Sequence, residues 1–405
     1  MYDLFSPQFK ANPFPVYAEL RDKCPIYPHY APYGARIWYI TRYEDVEMVL
    51  KDGNRFVKDP MNAGKGGKKD GTPGKGKALF RMINRNMLFA DPPDHSRLRR
   101  LVSLAFTPRR IEELAPRIAE IGEGLLEQHQ RKIEIEMIDA FAFPFPVTVI
   151  MELLGIPKED QMLMHNWSKA IIAPGRFGIS LKGRKQRVRA FVNYLSETFE
   201  CRRQEPSDDL ISALVAAEED GDRLNEQELS SMVALLFVTG HETVVNLIGN
   251  GFLALLNHPQ ELEKLRANRF LIDQALEEML RYDGPVETST TRWAAADLEL
   301  GGNQIRRGDV IRVVITSANR DRDFCPHADD FQIERPPAAH LAFGKGLHYC
   351  LGAPLARLEG RIAFNLLLDR FTHMELAVPA HALEWHTGVI FRGLKELPVR
   401  VEWKI

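Results

Sequence analysis

Hydrophobic positions change rhythm several times along this 405-residue chain. Near the N-terminus apolar and polar residues alternate, as in "ARIWYITR" (35–42), and that period of two predicts a strand. "YEDVEMVLKDG" (43–53) shifts to helical spacing and closes on Gly53. From Pro93 to Tyr282 the spacing is mainly helical. From Val286 to Val314 strand and turn signals mix, and the closing "GVIFRGLKELPVRVEWKI" reads as short strands. The pattern predicts a mainly α fold with a small β region.

One segment loses its polar face altogether. Helical signal begins near Asn225, where Glu228 stands three positions on and completes a capping pair. It runs to about Leu256, roughly 30 residues or ~45 Å, enough to cross a domain. Val233, Leu235, Leu236, Phe237, Val238, Val244, Val245, Leu247 and Ile248 make its middle apolar on every side, so a buried helix is predicted. Inside it lies "TGHETV" (239–244). A mid-helix glycine costs ~1 kcal/mol against alanine, and a buried Glu242 costs more unless it is paired. One reading is a kink with a satisfied carboxylate. The other is a groove where a ligand meets the Gly240 backbone and Glu242 and Thr243 handle protons. The zinc motif H-E-x-x-H is excluded, because Val245 stands where the second histidine is needed.

Composition narrows the class. Apolar content of 45% and charged content of 27% are those of a soluble globule. A net charge of -2 gives no bulk attraction to nucleic acid or acidic lipid. The N-terminus does not read as a signal peptide, and no run reaches the ~18 apolar residues of a membrane span. The expectation is a cytoplasmic protein with no membrane anchor and no nucleic-acid partner. Cys24, Cys201, Cys325 and Cys350 lie far apart, which argues against a disulfide framework or a cysteine-rich zinc site. "GKGGKKDGTPGKGK" (64–77) cannot build a core and reads as a flexible surface loop. Within it, "GTPGKGKA" falls short of a phosphate-binding loop, since Ala78 replaces the magnesium-binding hydroxyl. The long irregular stretch "ITSANRDRDFCPHADDFQIERPPAAH" points to function rather than packing.

The chemistry concentrates in "HLAFGKGLHYCLGAPLAR" (340–357). A lone cysteine is usually core. Here Gly344, Gly346 and Gly352 surround Cys350 and let the backbone approach a flat ligand. A helix follows, with Pro354 tolerated in its first turn. A thiol at a helix N-terminus is biased towards thiolate, a soft ligand for iron or copper. A single thiolate with no second protein ligand nearby fits heme, onto whose iron it pushes electron density.

"FGKGLHYCLGAPLAR" resembles the heme-binding signature of the cytochrome P-450 superfamily at Phe343, Gly344, Gly346, His348, Cys350, Gly352, Ala356 and Arg357. The resemblance implies heme b (iron protoporphyrin IX) with Cys350 as axial ligand and Phe343, Gly344 and Gly240 against the cofactor. "TGHETV" is similar to the family's distal-helix motif, with Glu242 and Thr243 as its acid–alcohol pair; Thr239 departs from the usual alanine or glycine. "EEMLR" and "FQIERP" supply Glu278, Arg281 and Arg335, whose implied role is to hold the loop leading to Cys350. Taken alone, an i, i+3 pair such as Glu278–Arg281 is a surface salt bridge. "DPPDHSRLRR" resembles the start of the family's third helix. His95 and Arg99, four apart on one face, are implied to bind the heme propionates with His348 and with Arg292 of "TTRWA".

Over the whole chain the resemblance implies a triangular single domain (1–405), soluble, bacterial and monomeric. The implied activity is that of a heme-thiolate monooxygenase, inserting one atom of O2 into a C–H bond of a hydrophobic small molecule. Electrons would come from NAD(P)H through a separate ferredoxin or flavodoxin and its reductase. A peroxide-driven peroxygenase is the alternative, disfavoured by the retained acid–alcohol pair; a non-catalytic heme sensor would need no such pair. By position, Met87, Leu88, Ile171, Ile172, Leu235, Val238, Thr239 and Val286 are pocket candidates, though core packing explains the apolar ones equally well. Arg97, Arg100, Arg109, Arg110 and Lys345 form either a basic face for an acidic donor or scattered solvated charge.

Overall fold

The computed structural model describes residues 2–30, 36–64, 83–172, 180–336 and 339–404. All of the Gly/Lys-rich segment except Gly64 falls outside these residues. The chain divides into two compact units, one of Met1–Gly66, Leu114–Phe145 and Thr243–Ile405, the other of Gly67–Glu113 and Pro146–Glu242.

In the first unit the alternating segment becomes strand Arg36–Ile40, antiparallel to Ile26–Tyr30 and parallel to Val310–Val313. Arg292–Ala294 and Phe56–Val57 complete a five-stranded sheet. Its apolar residues, Ile26, Trp38, Ile40, Ile311 and Val313, pack with Val46 and Val49 of helix Tyr43–Lys51 and with Leu341, where the approach to Cys350 begins. A second sheet joins Phe371–Leu376, Pro398–Trp403 and Glu134–Glu136. The closing segment therefore holds one named strand where several short ones were expected. Helix Ala353–Arg370 packs against Ile272–Asp283 so closely that a Cβ on Gly360 would lie 2.7 Å from Leu276 Cδ1.

In the second unit helices Asp94–Ala105, Leu181–Gln204 and Leu210–Ala216 bury Leu98, Leu101, Val102, Phe191, Leu210, Ile211 and Leu214. Arg202 donates to Asp209 Oδ2 (2.7 Å) and to the Gly155 carbonyl (3.1 Å), closing the turn between helices.

The long helix spans Glu226–Asn257. Its start is as the sequence predicts: Asn225 Oδ1 accepts from the Gln227 and Glu228 amides (3.1 and 3.0 Å), and Glu228 Oε2 accepts from the Asn225 amide (3.1 Å). By length and mean hydropathy (1.5) this helix could cross a membrane, contrary to the expectation that no segment reaches that mark. Its most apolar stretch is 67% buried inside the protein, and a core helix passes the same test. None of the four cysteines forms a disulfide.

Replacing Asn225 by Ala removes the Oδ1 that accepts from both the Gln227 and Glu228 amides and is expected to lower unfolding free energy by ~1 kcal/mol, with Asn225→Asp close to wild type. Denaturant titration checks this; equal losses in both variants would contradict the cap assignment.

Candidate active site

The segment before Cys350 is built by backbone geometry. Gly344 and Gly346 both hold positive φ, 72° and 70°, a region that other residues adopt only with strain. At Gly346 a Cβ would also meet the Leu50 carbonyl oxygen at 2.9 Å. The turn brings the Cys350 amide onto the Phe343 carbonyl (2.9 Å) and the Tyr349 amide onto that of Gly346 (3.1 Å). Cys350 emerges exposed, and Gly352 then caps helix Ala353–Arg370, with Pro354 in its first turn. Leu347 and Tyr349 beside it are exposed.

The stretch leading to this turn hangs on one buried carboxylate. Glu278 Oε1 accepts from Arg281 Nη2 (2.8 Å), Arg335 Nε (3.2 Å) and the Gln332 amide (2.9 Å); Oε2 accepts from Arg281 Nε (2.6 Å). The two arginines spread outward. Arg281 donates to the carbonyls of Asn319, Ala328 and Asp330. Arg335 donates to those of Pro326, His327 and Asp330. Asn319 Oδ1 accepts from the Leu341 amide (2.7 Å), which carries the constraint to the start of the cysteine turn. The Glu278 and Arg281 side chains are only 3% and 2% exposed, so the pair is core and not the surface bridge that its spacing alone signifies.

Sequence reasoning missed Glu277. Its carboxylate takes two hydrogen bonds from Arg357 (2.6 and 2.8 Å) and one from His340 Nε2 (3.0 Å). Burial raises its pKa, but the bonds from Arg357 and His340 outweigh burial and bring it down to about 2. Arg357 in turn lies 4.4 Å over the Phe343 ring. No local spacing signals a pair 80 residues apart.

On the long helix, Leu235, Val238, Thr239, Glu242 and Thr243 keep partial exposure while Met232, Val233, Phe237, His241, Val244 and Ile248 are buried. These partly exposed positions repeat at helical spacing and form one stripe. Glu242 is thus half-exposed, not the buried acid that the apolar pattern predicts. Thr239 Oγ1 donates to the Leu235 carbonyl (2.7 Å). His241 bonds the Phe237 carbonyl (2.7 Å), and burial pushes its pKa down against the pull of Glu242. Gly240 has a packing reason: a Cβ there would sit 3.0 Å from Ile150 Cδ1.

His95 and Arg99 share helix Asp94–Ala105, as expected. His95 is buried; burial first, then the Arg99 charge, lowers its pKa and keeps the ring neutral near pH 7. In the first unit Arg292 is buried on its strand and Nη1 donates to Ser289 Oγ (3.3 Å), while His348 ends the short 3₁₀ turn Gly346–His348, partly exposed.

Among the pocket candidates Met87 is buried and Leu88 partly exposed. Val286 packs against the sheet core. Ile171 and Ile172 end helix Gln161–Ile172, and their side chains lie outside the described residues.

The proposed basic face is largely neutralised. Arg97 pairs with Asp222 and Glu228, Arg109 with Glu113, Arg110 with Asp208 and Lys345 with Glu47.

The fold is mainly helical, Cys350 is exposed beside a glycine turn, and no cluster of His, Cys, Asp or Glu able to hold a metal is found among the described residues. The family model "Cytochrome P450" matches residues 4–391, and the chain belongs to that family. It is 43% identical to the polyketide biosynthesis cytochrome P450 PksS of Bacillus subtilis, over 98% of each chain. It is 42% identical to the cytochrome P450 monooxygenase PikC of Streptomyces venezuelae, over 97% of this chain and 92% of that one. Among solved structures, PksS superposes with a TM-score of 0.92 at 42% identity, covering 99% of this chain and 100% of that one. A myxobacterial cytochrome P450, CYP267B1 in complex with myristic acid, gives 0.89 at 39% identity, covering 99% of each chain. The protein is accordingly an oxidoreductase that incorporates oxygen from O2, and its family implies a heme cofactor. The residues fit that group: an exposed sulfur beside a glycine turn, with no second ligand cluster among the described residues.

Because the folded-state pKa of Glu277 is depressed, its stabilisation is fully present above the ordinary carboxylate pKa of about 4.5 and is lost as pH falls towards about 2. Unfolding free energies of wild type and Glu277→Gln, compared across pH, are expected to differ by a constant amount from pH 7 to about 5 and to converge near pH 2. A gap that stays constant down to the acid end would contradict the ion-pair assignment.

Proposed function

We propose that the protein hydroxylates an unactivated C–H bond of a hydrophobic small molecule, using heme b held by Cys350. The observation that carries this reading is the exposed Cys350 thiol, delivered by the Gly344–Gly346 turn to the N-terminal side of a helix. When bound, the heme supplies the iron at which O2 is activated. The Cys350 sulfur would be its protein ligand, with Phe343, Gly344 and Gly240 against the ring. His95, Arg99, Arg292 and His348 would hold the propionates. Arg99 and Arg292 carry positive charge, and His95, kept neutral by burial and the Arg99 charge, can donate a hydrogen bond to a carboxylate. The whole chain from residue 1 to 405 would serve as one heme-thiolate domain.

Glu242 and Thr243 would manage protons. Glu242 is half-exposed and can exchange with solvent; the Thr243 hydroxyl, next along the same helix, can both accept and donate. Leu235, Val238 and Thr239 complete that stripe. Its apolar part suits a substrate with little polar surface and excludes water from the reacting bond. Thr239 adds bulk rather than an unpaired donor, because its hydroxyl already bonds the Leu235 carbonyl. By their place in the sequence, Met87, Leu88, Ile171, Ile172 and Val286 would be further pocket members. PksS is named for polyketide biosynthesis, and CYP267B1 was solved with a fatty acid; long aliphatic and polyketide-like molecules are the substrate classes to try first.

Electrons would reach the iron from NAD(P)H through a separate ferredoxin or flavodoxin with its reductase. The protein would work as a cytoplasmic monomer, with no nucleic-acid partner. The retained acid–alcohol pair favours O2 over peroxide as the oxidant.

Cys350→Ser is expected to abolish the red-shifted ferrous–CO band of the heme-loaded protein; survival of that band would remove Cys350 from the iron. Thr243→Ala is expected to raise the hydrogen peroxide released per NAD(P)H consumed. Unchanged coupling would take Thr243 out of the proton route. Spectral titration with fatty acids and macrolides identifies the substrate class.

A further inference from the structure

Glu277 and Glu278 are neighbours on helix Ile272–Asp283, yet they serve different parts of the chain. Glu278 holds the irregular stretch. Glu277 holds the cysteine turn from both sides. Before the cysteine it accepts from His340 Nε2 (3.0 Å), while His340 Nδ1 accepts from the Ala342 amide (3.2 Å). An amide can only donate, so Nδ1 is the acceptor nitrogen and Nε2 carries the hydrogen given to Glu277. After the cysteine, Arg357 makes its paired bonds to the same carboxylate. Arg357 also stacks on Phe343. Phe343 receives the Cys350 amide (2.9 Å), and Tyr349 is the residue before the thiol.

One carboxylate thus ties His340, Ala342, Phe343 and Arg357 around the sulfur. It also neutralises a guanidinium that lies over Phe343, whose carbonyl accepts from the Cys350 amide. We propose that Glu277 is a positioning residue for Cys350: through Arg357 and His340 it fixes the turn that presents the sulfur and sets the charge around it. This rests on the reading of Cys350 as the heme ligand. Charge-assisted, paired bonds of this kind are short, directional and strong for their number. A carboxylate buried with its partners stays ionised and does not wander. With Glu277 neutral, Arg357 carries an uncompensated positive charge beside the turn. That charge favours the ferrous over the ferric state, since reduction adds an electron.

The test uses the full-length, heme-loaded protein in three forms: wild type, Glu277→Gln and Glu277→Asp. Two quantities are read: the rate at which the red-shifted ferrous–CO band converts to the unshifted form in mild guanidinium, and the ferric–ferrous equilibrium. Glu277→Gln is expected to show the red-shifted band but to lose it about tenfold faster, the loss fitting one hydrogen bond between charged groups. Its equilibrium should move towards ferrous by about threefold, as for one unscreened charge near the surface. Glu277→Asp, which keeps the charge on a shorter stem, should recover most of the equilibrium shift.

Arg357→Gln provides a second probe if Glu277→Gln yields no folded protein. It removes the opposite charge, so its equilibrium should move towards ferric. Equal conversion rates and equal equilibria in wild type and variants, all with the red-shifted band, would overturn the positioning role alone. A wild type without that band would overturn the heme-thiolate reading and this proposal with it.

Discussion

A buried carboxylate that answers two guanidiniums organises this protein. Glu278 balances Arg281 and Arg335, and the three together bind the backbone of a stretch that has little regular structure of its own. Such a stretch would otherwise leave many carbonyls unpaired in the interior. Fanned arginine side chains satisfy five of them through six hydrogen bonds. Asn319 then passes the arrangement to Leu341, itself fixed in the sheet core. The cysteine turn therefore begins from an anchored point. Desolvating three charges is costly, and packed apolar residues can stabilise as well. What apolar residues cannot do is hold carbonyls at fixed positions, which is what a loop presenting a ligand requires.

The long helix solves a different problem. It is apolar enough to sit in the interior, yet it leaves one stripe partly exposed, with Glu242 and Thr243 adjacent on it, while the buried faces carry the packing. His241, buried on another face, is kept neutral and bonded to the Phe237 carbonyl. Gly240 belongs at least in part to structure, since Ile150 takes the space a side chain would use.

Much of this was legible in the sequence because it is local. The Asn225–Glu228 cap lies within four residues, the strand Arg36–Ile40 alternates, and the cysteine turn gathers its glycines in a short run. What escaped is what tertiary structure decides. The partner of a charge is set by packing: nothing in "EEMLR" says that Glu278 faces Arg335 while Glu277 faces Arg357. The apolar pattern around Glu242 predicted burial, because periodicity cannot show which stripe of an all-apolar helix stays uncovered. The clustered arginines looked like an electrostatic surface until their acidic partners, far off in sequence, were placed beside them.

The most direct measurement is amide hydrogen exchange on Glu278→Gln beside wild type. Breaking one side of a buried ion pair costs ~3–5 kcal/mol, so amides at 319–335, Leu341 and Cys350 should exchange about a hundredfold faster or more, while strands Ile26–Tyr30 and Arg36–Ile40 keep their protection. Unchanged exchange at Leu341 and Cys350 would contradict the claim that this carboxylate anchors the cysteine turn.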